Sequence, residues 1–524
     1  AGGSQSERMV LKNLRADVTA GDAIDIRTGY VTMENVFAKS SSVNGLRLNG
    51  DLLNDIVLES CNFDGSGIAG IFVPTFVSID GWVMKNSTVR QNGLWGVAAF
   101  QRRSNPTQIS NVNFSHCSFA DNNATNQQQG HTIYFEKLTN STFENISVVM
   151  PANNNWIGID INLLSRLDYS DISIVNSRVV RQSPGSGIWI QARNDLFDPP
   201  AALDTVVLRG LTFTNCDTNI AFNRQVKNMT VDKCDLSTYS VYGLVNYTDQ
   251  GGAINANNNK WQNGVVPDTT VVSGGLLTTG NNIISFMPST DGIFIGMGIQ
   301  GSGIPPNTTV TGKSPNTISM SNNATLDGFI PQIGFAFNFS TSTDLVRTSL
   351  NTISTGNPLP HSIINQGNVS FPNLASAISG TNSGGTIWNV PSGVIPGNTI
   401  IDRDLRLVSP GAGFLHSGSQ TTFEDLTISG ATLQMGSDFA VQNNFTPNRI
   451  VIGEDHTLSI LGAIVPGGEI VGGLNSDMFF GGSSASTNLT TVQGGLRTLQ
   501  VNRANGIALA DSLRLHRLLF GQNG

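Results

Sequence analysis

Residues 84–101 read MKNSTVRQNGLWGVAAFQ: a short run of alternating apolar and polar residues, a polar turn, then Gly and a second apolar run. The same line recurs about every 20 to 30 residues from Val10 to Leu236. Its first half appears as LKNLRA (11–16), MENVFA (33–38), LESCNF (58–63), FSHCSF (114–119), FENISV (143–148), IVNSRV (174–179), LRGLTF (208–213) and VDKCDL (231–236). Its second half appears as AIDIRTG, GLRLNGD, GIFVPT, TIYFEK, GIDINL, GIWIQAR, NIAFNR and GLVNYT. Stacked, the lines form ladders. One holds Leu14, Val36, Cys61, Ser87, Cys117, Ile146, Ser177, Leu211 and Cys234. A second, two residues on, holds Ala16, Ala38, Phe63, Val89, Phe119, Val148, Val179, Phe213 and Leu236. Strands alternate their faces, so two ladders two residues apart share the interior. A unit this short cannot bury an apolar face alone, whereas stacked units can. Asn13, Asn35, Asn86, Asn145 and Asn176 precede the first ladder, as suits a bend that enters left-handed geometry and hydrogen-bonds along the stack. The expected fold is all-β: a parallel β-helix, or solenoid.

Composition agrees. The chain has 524 residues, more than one ordinary core accommodates, and only 13% are charged against about 25% in average globular chains. Gly, Asn, Ser and Thr suit turns, and β-branched residues suit strands. A net charge of -8 argues against nucleic acid as the main partner. No stretch is long and apolar enough to span a bilayer. No signal peptide is visible at AGG, which suggests a removed leader or a partial chain. Sequons such as Asn86, Asn113, Asn140, Asn145, Asn228 and Asn246 are no more frequent than so much Asn, Ser and Thr supplies by chance. Cys61, Cys117 and Cys234 share a ladder but never consecutive rungs. With rungs ~4.8 Å apart, they lie too far apart to bridge. Cys216 falls off the ladder one rung below Cys234, which leaves that pair as the one possible disulfide; buried free thiols are the main expectation.

Over residues 1–262 this register resembles the pectate-lyase-like family of right-handed parallel β-helices. The closing GGAINANNNKW resembles the Asn- and Trp-rich ending of β-helix repeats in bacterial surface proteins, with Trp261 in place and the second Trp absent. Residues 265–345 break the register. The alternation and Gly/Pro turns of 292–326 resemble a small β module of secreted bacterial and phage proteins, expected as a spacer domain. From Phe371 a second solenoid segment is expected, with LASAI as a capping helix and TIWNV and LRLVS as rungs. TTFEDLTISGATLQMGSDFAV and TLQVNRANGIALADSLRLHRLLF resemble repeats of long secreted surface proteins of Bacteroidota. The domain reading is a right-handed parallel β-helix over 1–264, a small β domain over 265–345 and a second β-helical segment over 346–524.

The residues between the apolar positions of the Gly-Ile-x-Ile strands point outward. One outward column reads Asp25, Arg47, Phe72, Ala98, Tyr134, Asp160, Trp189 and Ala221. The next reads Arg27, Asn49, Pro74, Phe100, Glu136, Asn162, Gln191, Asn223 and Tyr247, and nearby loops add Gln101, Arg102, Arg103, Lys137, Arg166 and Arg193. In a chain with so little charge, this face gathers carboxylates, cations and exposed rings. Tyr134 and Trp189 suit stacking on sugars, with Gln191, Arg193, Arg166, Lys137 and Tyr247 as further glycan contacts. The family resemblance implies polysaccharide binding along this face.

Glu136 and Asp160 lie on neighbouring rungs and are the candidate catalytic carboxylates of a glycosidase, which needs them ~5–5.5 Å apart if retaining or ~6.5–9.5 Å if inverting. A lyase would draw its base and cation from Lys137, Arg166 and Arg193. No family catalytic motif is matched, and His131 at a strand start reads as a turn or surface residue. The plain alternative is a scaffold whose charged pairs are ordinary cross-strand partners. No zinc spacing, calcium loop, phosphate loop or nucleophile triad is present, so neither metal nor cofactor is expected. His361, His416, His456 and His516 are scattered, and IDRDLRL at 401–407 reads as a rung. The leading expectation is a secreted or cell-surface stalk or adhesin that contacts a polysaccharide or cell-surface glycan. A polysaccharide lyase or hydrolase and a phage or viral fibre are the alternatives. LKNLRA begins without a capping helix, and such an open rung invites end-to-end or homo-oligomeric assembly.

Overall fold

The computed structural model describes residues 7–521 except 103–105, 127–129, 153–155, 165–166, 184, 195–199, 249–253, 263–269, 273, 291–292, 294–296, 307, 337–344, 348–352, 355–361, 392, 411–420, 484–486, 490, 504–505 and 510–511. Three parallel sheets form the first stack. The first runs through Met9–Lys12, Val31–Glu34, Leu52–Glu59 and Ser78–Lys85 to Val226–Asp232; the second runs from Arg15–Asp17 to Thr212–Thr214. The third runs through Ile24–Ile26, Asn44–Leu48, Ala69–Val73, Trp95–Ala99, Ile133–Phe135, Ile159–Leu163, Ile188–Ala192 and Cys216–Arg224 to Tyr239–Thr248. Each strand pairs in parallel with its equivalent one turn away, which makes the chain a β-solenoid.

The ladders emerge at single-residue register. Ala16 pairs with Ala38, Ala38 with Phe63, Phe63 with Val89 and Val89 with Phe119. In the third sheet Ala98, Tyr134, Asp160, Trp189 and Ala221 are successive partners. The bend before the first ladder has φ of 54° at Asn13, 55° at Asn35, 53° at Ser60, 49° at Asn86, 54° at His116 and 51° at Asn145. Asn pays the least of the side-chain-bearing residues for that conformation, and Asn35 Nδ2 donates to Asn13 Oδ1 at 2.6 Å. The glycine that opens the third-sheet strands has a steric cause: a Cβ on Gly96 would sit 2.5 Å from the Thr132 carbonyl oxygen of the next rung.

Inside, Trp82, Phe114, Phe119, Phe135 and Phe143 fill the rungs behind the middle of the third sheet, each with no exposed surface. Trp82 meets Phe114 edge-on at 4.9 Å, and Phe114 meets Phe143 edge-on at 5.3 Å. Edge-to-face rings at such distances add about 0.5–1.5 kcal/mol per pair beyond burial. All four cysteines are buried free thiols, each raised to about 12 chiefly by burial.

Beyond Ile254–Asn255 the register changes. Strands from Thr270–Val272 to Ile333–Ala336 pair antiparallel around a separate apolar cluster that includes Ile284, Met297, Ile318 and Phe335. The backbone then returns: Leu345–Arg347 pairs in parallel with Tyr239–Thr248, and Ile353–Ser354 with Ile254–Asn255. The antiparallel strands are therefore looped out of a turn of the first stack, which resumes past residue 345.

The second parallel stack opens with the helix Leu374–Gly380, capped by Asn373, whose side chain accepts from the Ser376 amide. Gly385–Trp388 and Leu405–Leu407 are consecutive rungs of one sheet, and Thr421–Ile428 through Leu515–Phe520 build another. This stack lies beside the first and runs the opposite way. Asn389 donates to the Lys233 carbonyl at 2.7 Å, Asp455 pairs with Lys85 at 3.0 Å, and Arg497 pairs with Glu59 at 2.9 Å. Glu34, His516 and Arg517 line a cleft at the far end. As residue numbers rise in one stack they fall in the other. The junction follows the bend column between the first and second sheets, with the third sheet on the opposite side. His456 belongs to this junction, packed edge-on to His116 at 4.6 Å. His516 is exposed, while His361 and His416 lie outside the described residues.

Candidate functional site

Alternation along the third sheet carries one chemical group outward every second residue, and rungs five to seven bring the most varied set together. Ring contacts form a chain across this face. Phe72 lies 5.7 Å from Phe100, Trp95 5.3 Å from Phe100, and Phe100 5.5 Å from Tyr134. Tyr134 stacks on His131 at 5.2 Å, and His131 meets Trp156 edge-on at 6.0 Å.

A polar set adjoins these rings. The Tyr134 hydroxyl donates to Glu136 Oε1 at 2.8 Å and accepts from Asn162 Nδ2 at 3.1 Å. The Gln101 amide donates to Glu136 Oε2 at 2.6 Å, so both carboxylate oxygens of Glu136 are held. Burial and the neighbouring Glu136 and Asp160 charges push the Tyr134 hydroxyl well above its ordinary pKa, so it stays a donor. One rung on, His131 Nε2 lies 3.3 Å from Asp160 Oδ2. The Ile157 amide donates to His131 Nδ1 at 3.3 Å, which assigns the imidazole proton to Nε2. Burial lowers His131 to about 4. Burial, then Glu136, raise Asp160 to about 8, while Arg193 opposes them. At neutral pH this is therefore a hydrogen bond between two uncharged groups.

Tyr134, Trp189, Gln191 and Arg193 are half-buried on this face, and Tyr247 is exposed further along the Gln191 column. Asp160 departs from the expectation of an open carboxylate: it is only 3% exposed. Arg166 lies outside the described residues. Lys137 requires a correction. It was expected on the outward face, yet its Nζ points inside and donates to the carbonyls of Pro74 (3.1 Å), Thr75 (3.3 Å) and Val77 (2.5 Å) and to Thr107 Oγ1 (2.7 Å). The cause is strand alternation: Glu136 points out, so the next residue points in. Burial lowers Lys137 to about 7 while the Glu136 charge opposes it. A ligand on the face cannot reach it.

Sequence reasoning took His131 for a turn or surface residue, whereas it is buried, and passed over Trp95 and Trp156. His131 precedes the outward Tyr134 in a line otherwise polar at that point, a weak signal. Trp156 sits in a loop between rungs, where periodicity says nothing. Among the described residues no group of three or more His, Cys, Asp or Glu is placed to hold a metal ion, and no helix is long and apolar enough to cross a membrane. Comparison with protein-family models, with curated proteins and with solved structures returns no match for this chain.

Proposed function

We propose that this protein is a secreted or cell-surface β-solenoid, right-handed and pectate-lyase-like in its first stack, that holds a glycan along the outward face of its third sheet and serves as a stalk or adhesin. One observation carries the reading: a continuous row of rings from Phe72 to Trp156 beside a set of hydrogen-bonding side chains. Sugars present apolar C–H faces edged by hydroxyls, and flat rings beside polar groups match both.

A second reading, glycoside hydrolysis, draws on the Glu136–Asp160 pair. Asp160 keeps its proton at neutral pH and Glu136 sits diagonally across the neighbouring rung, about 7–8 Å away by strand geometry. A protonated carboxyl facing a second carboxyl group is what acid–base hydrolysis uses, and that separation suits inversion. The lyase alternative is weakened by the inward Lys137.

The test is a panel of polysaccharides and oligosaccharides, scored for binding and for product release, with wild type, Tyr134→Ala, Glu136→Gln and Asp160→Asn. Binding that Tyr134→Ala weakens while the melting profile holds supports the adhesin reading. Release of product that Glu136→Gln and Asp160→Asn abolish makes the protein an enzyme. No binding to any member of the panel refutes both. A stable trimer in sedimentation without glycan binding would favour the fibre alternative.

A further inference from the structure

On the third-sheet strands of rungs six and seven, three buried side-chain atoms have no hydrogen-bond partner among the described residues: Asp160 Oδ1, Asn162 Oδ1 and Trp189 Nε1. They are neighbours by register. Asp160 and Asn162 stand two residues apart on Ile159–Leu163 and project to the same face, and Trp189 is the parallel partner of Asp160 on Ile188–Ala192. Buried polar atoms are nearly always paired, so three orphans side by side need an explanation. Asp160 is 97% buried by its 3% exposure, and its other oxygen is already fixed by His131, so the free oxygen is held in one direction. The footprint is about 5 Å across the rungs and about 7 Å along the strand, the scale of one sugar ring with its hydroxyls.

Glu136 lies on the preceding rung, close enough to oppose ionisation of Asp160. Lys137, the cation the sequence offered for a ligand carboxylate, is enclosed among carbonyls. Among the described residues, Arg193 is the cation whose charge acts on Asp160. A uronate carboxylate brought to the free Asp160 oxygen would meet the Asp160 carboxyl, with Glu136 on the preceding rung.

Resting on the glycan reading above, we infer that Asp160, Asn162 and Trp189 form a subsite for an uncharged sugar ring, with Trp189 Nε1 donating to one hydroxyl and Asn162 Oδ1 and Asp160 Oδ1 engaging its neighbours. Uronates are selected against. Hydroxyl recognition by pre-set buried atoms is discriminating, because a ligand that fails to complete them leaves the cost unpaid.

Calorimetry on the full chain, with neutral oligosaccharides (cello-, xylo- and manno-hexaose) set against oligogalacturonate and oligoalginate, tests this. The expected result is binding to a neutral member with uronates at least about ten-fold weaker, and a further loss of about ten-fold in Trp189→Phe, which keeps the ring and removes the donor. Glu136→Gln narrows the gap between neutral and uronate ligands. Preference for uronates, or neutral-sugar affinity unchanged in Trp189→Phe, overturns the subsite while leaving the glycan reading intact. No binding to either set overturns the glycan reading itself. Thermal melts of Trp189→Phe and Glu136→Gln confirm that each variant is folded.

Discussion

Lys137→Met offers the sharpest test of how the candidate site is held. The ammonium joins two segments that border Glu136: residues 74–77, through three carbonyls, and Thr107, through its hydroxyl. Thr107 in turn donates its amide to Gln101 Oε1 at 3.0 Å, and the Gln101 amide holds Glu136 at 2.6 Å. Methionine keeps the apolar stem and removes the charge. Hydrogen bonds to a charged donor contribute about 1.5–3 kcal/mol each, and an orphaned buried carbonyl costs about 1–3 kcal/mol. Against this the variant no longer buries an ammonium, which returns part of the loss. A net local destabilisation of about 3 kcal/mol follows, and at about 1.4 kcal/mol per factor of ten that is roughly 100-fold faster opening. Hydrogen exchange resolved to the Gln101 and Thr107 amides should show it, while Thr457–Ile460 in the second stack keeps its wild-type rate. A change below about three-fold at those two amides, or equal acceleration at both places, would refute the reasoning, since opening energies are local when the cause is local.

Acid should loosen the junction between the two stacks. His116 is lowered to about 3 by burial, then by Arg497 and Lys85; His456 is lowered well below 6.5 by burial, then by His116 and Arg406, with Asp455 opposing. The docked state thus binds fewer protons than an open one, so its stability is present above about pH 6.5 and drains as pH falls toward 3. Small-angle scattering should show expansion near pH 4.5, reduced in a His116→Gln/His456→Gln double variant (about pH 4.5 being inside that window); identical profiles for the two proteins sink the idea. Asp160 and Asp438 behave oppositely. Both are raised to about 8, so their contribution is present below about 3.8 and is lost as pH rises through 8. Between about pH 6.5 and 8, above the histidine window, Lys137, lowered to about 7, gains stability with pH and offsets part of the fall that the two aspartates cause, so Asp160→Asn should remove more than half of the net fall in urea midpoint; an unchanged slope contradicts the assignment. Finally, the 4 cysteines should resist a thiol reagent in the native protein and all react once it is unfolded; native reactivity would place one at the surface.

Much of the first stack was legible because its information is strictly periodic. Ladder positions such as Phe63, Val89 and Phe119 could be aligned by eye, and alternation then fixed which neighbours face out. The same rule, applied one residue further, would have sent Lys137 inward; grouping it with the loop residues was the error. The Asn bends were readable because few residues adopt positive φ at low cost, and even Ser60 and His116 conform once their column is known. Other features were beyond reach. The return of residues 345–347 to the first stack depends on pairing across the antiparallel strands, which no local pattern encodes. The side-by-side docking depends on single residues such as Arg497 and Asp455, distant in sequence and unremarkable in type. The His131–Asp160 contact joins two rungs through a geometry that spacing alone leaves open.

The reversal of direction between the stacks has a mechanical meaning. Residues 9–12 and 515–520 come to the same pole, beside the cleft of Glu34, Glu59, Arg497, His516 and Arg517. Tension that separates the two stacks at that pole loads the junction from one end, so its contacts yield in sequence: Glu59–Arg497 first, then Lys85–Asp455, then Lys233 against Trp388. Bonds that break one after another give way at low force, as a zipper does. Each stack, pulled across its rungs, instead resists with whole rows of backbone hydrogen bonds. The junction is thus the compliant joint of an otherwise stiff molecule, and its compliance is set by a few ion pairs that salt and acid can tune.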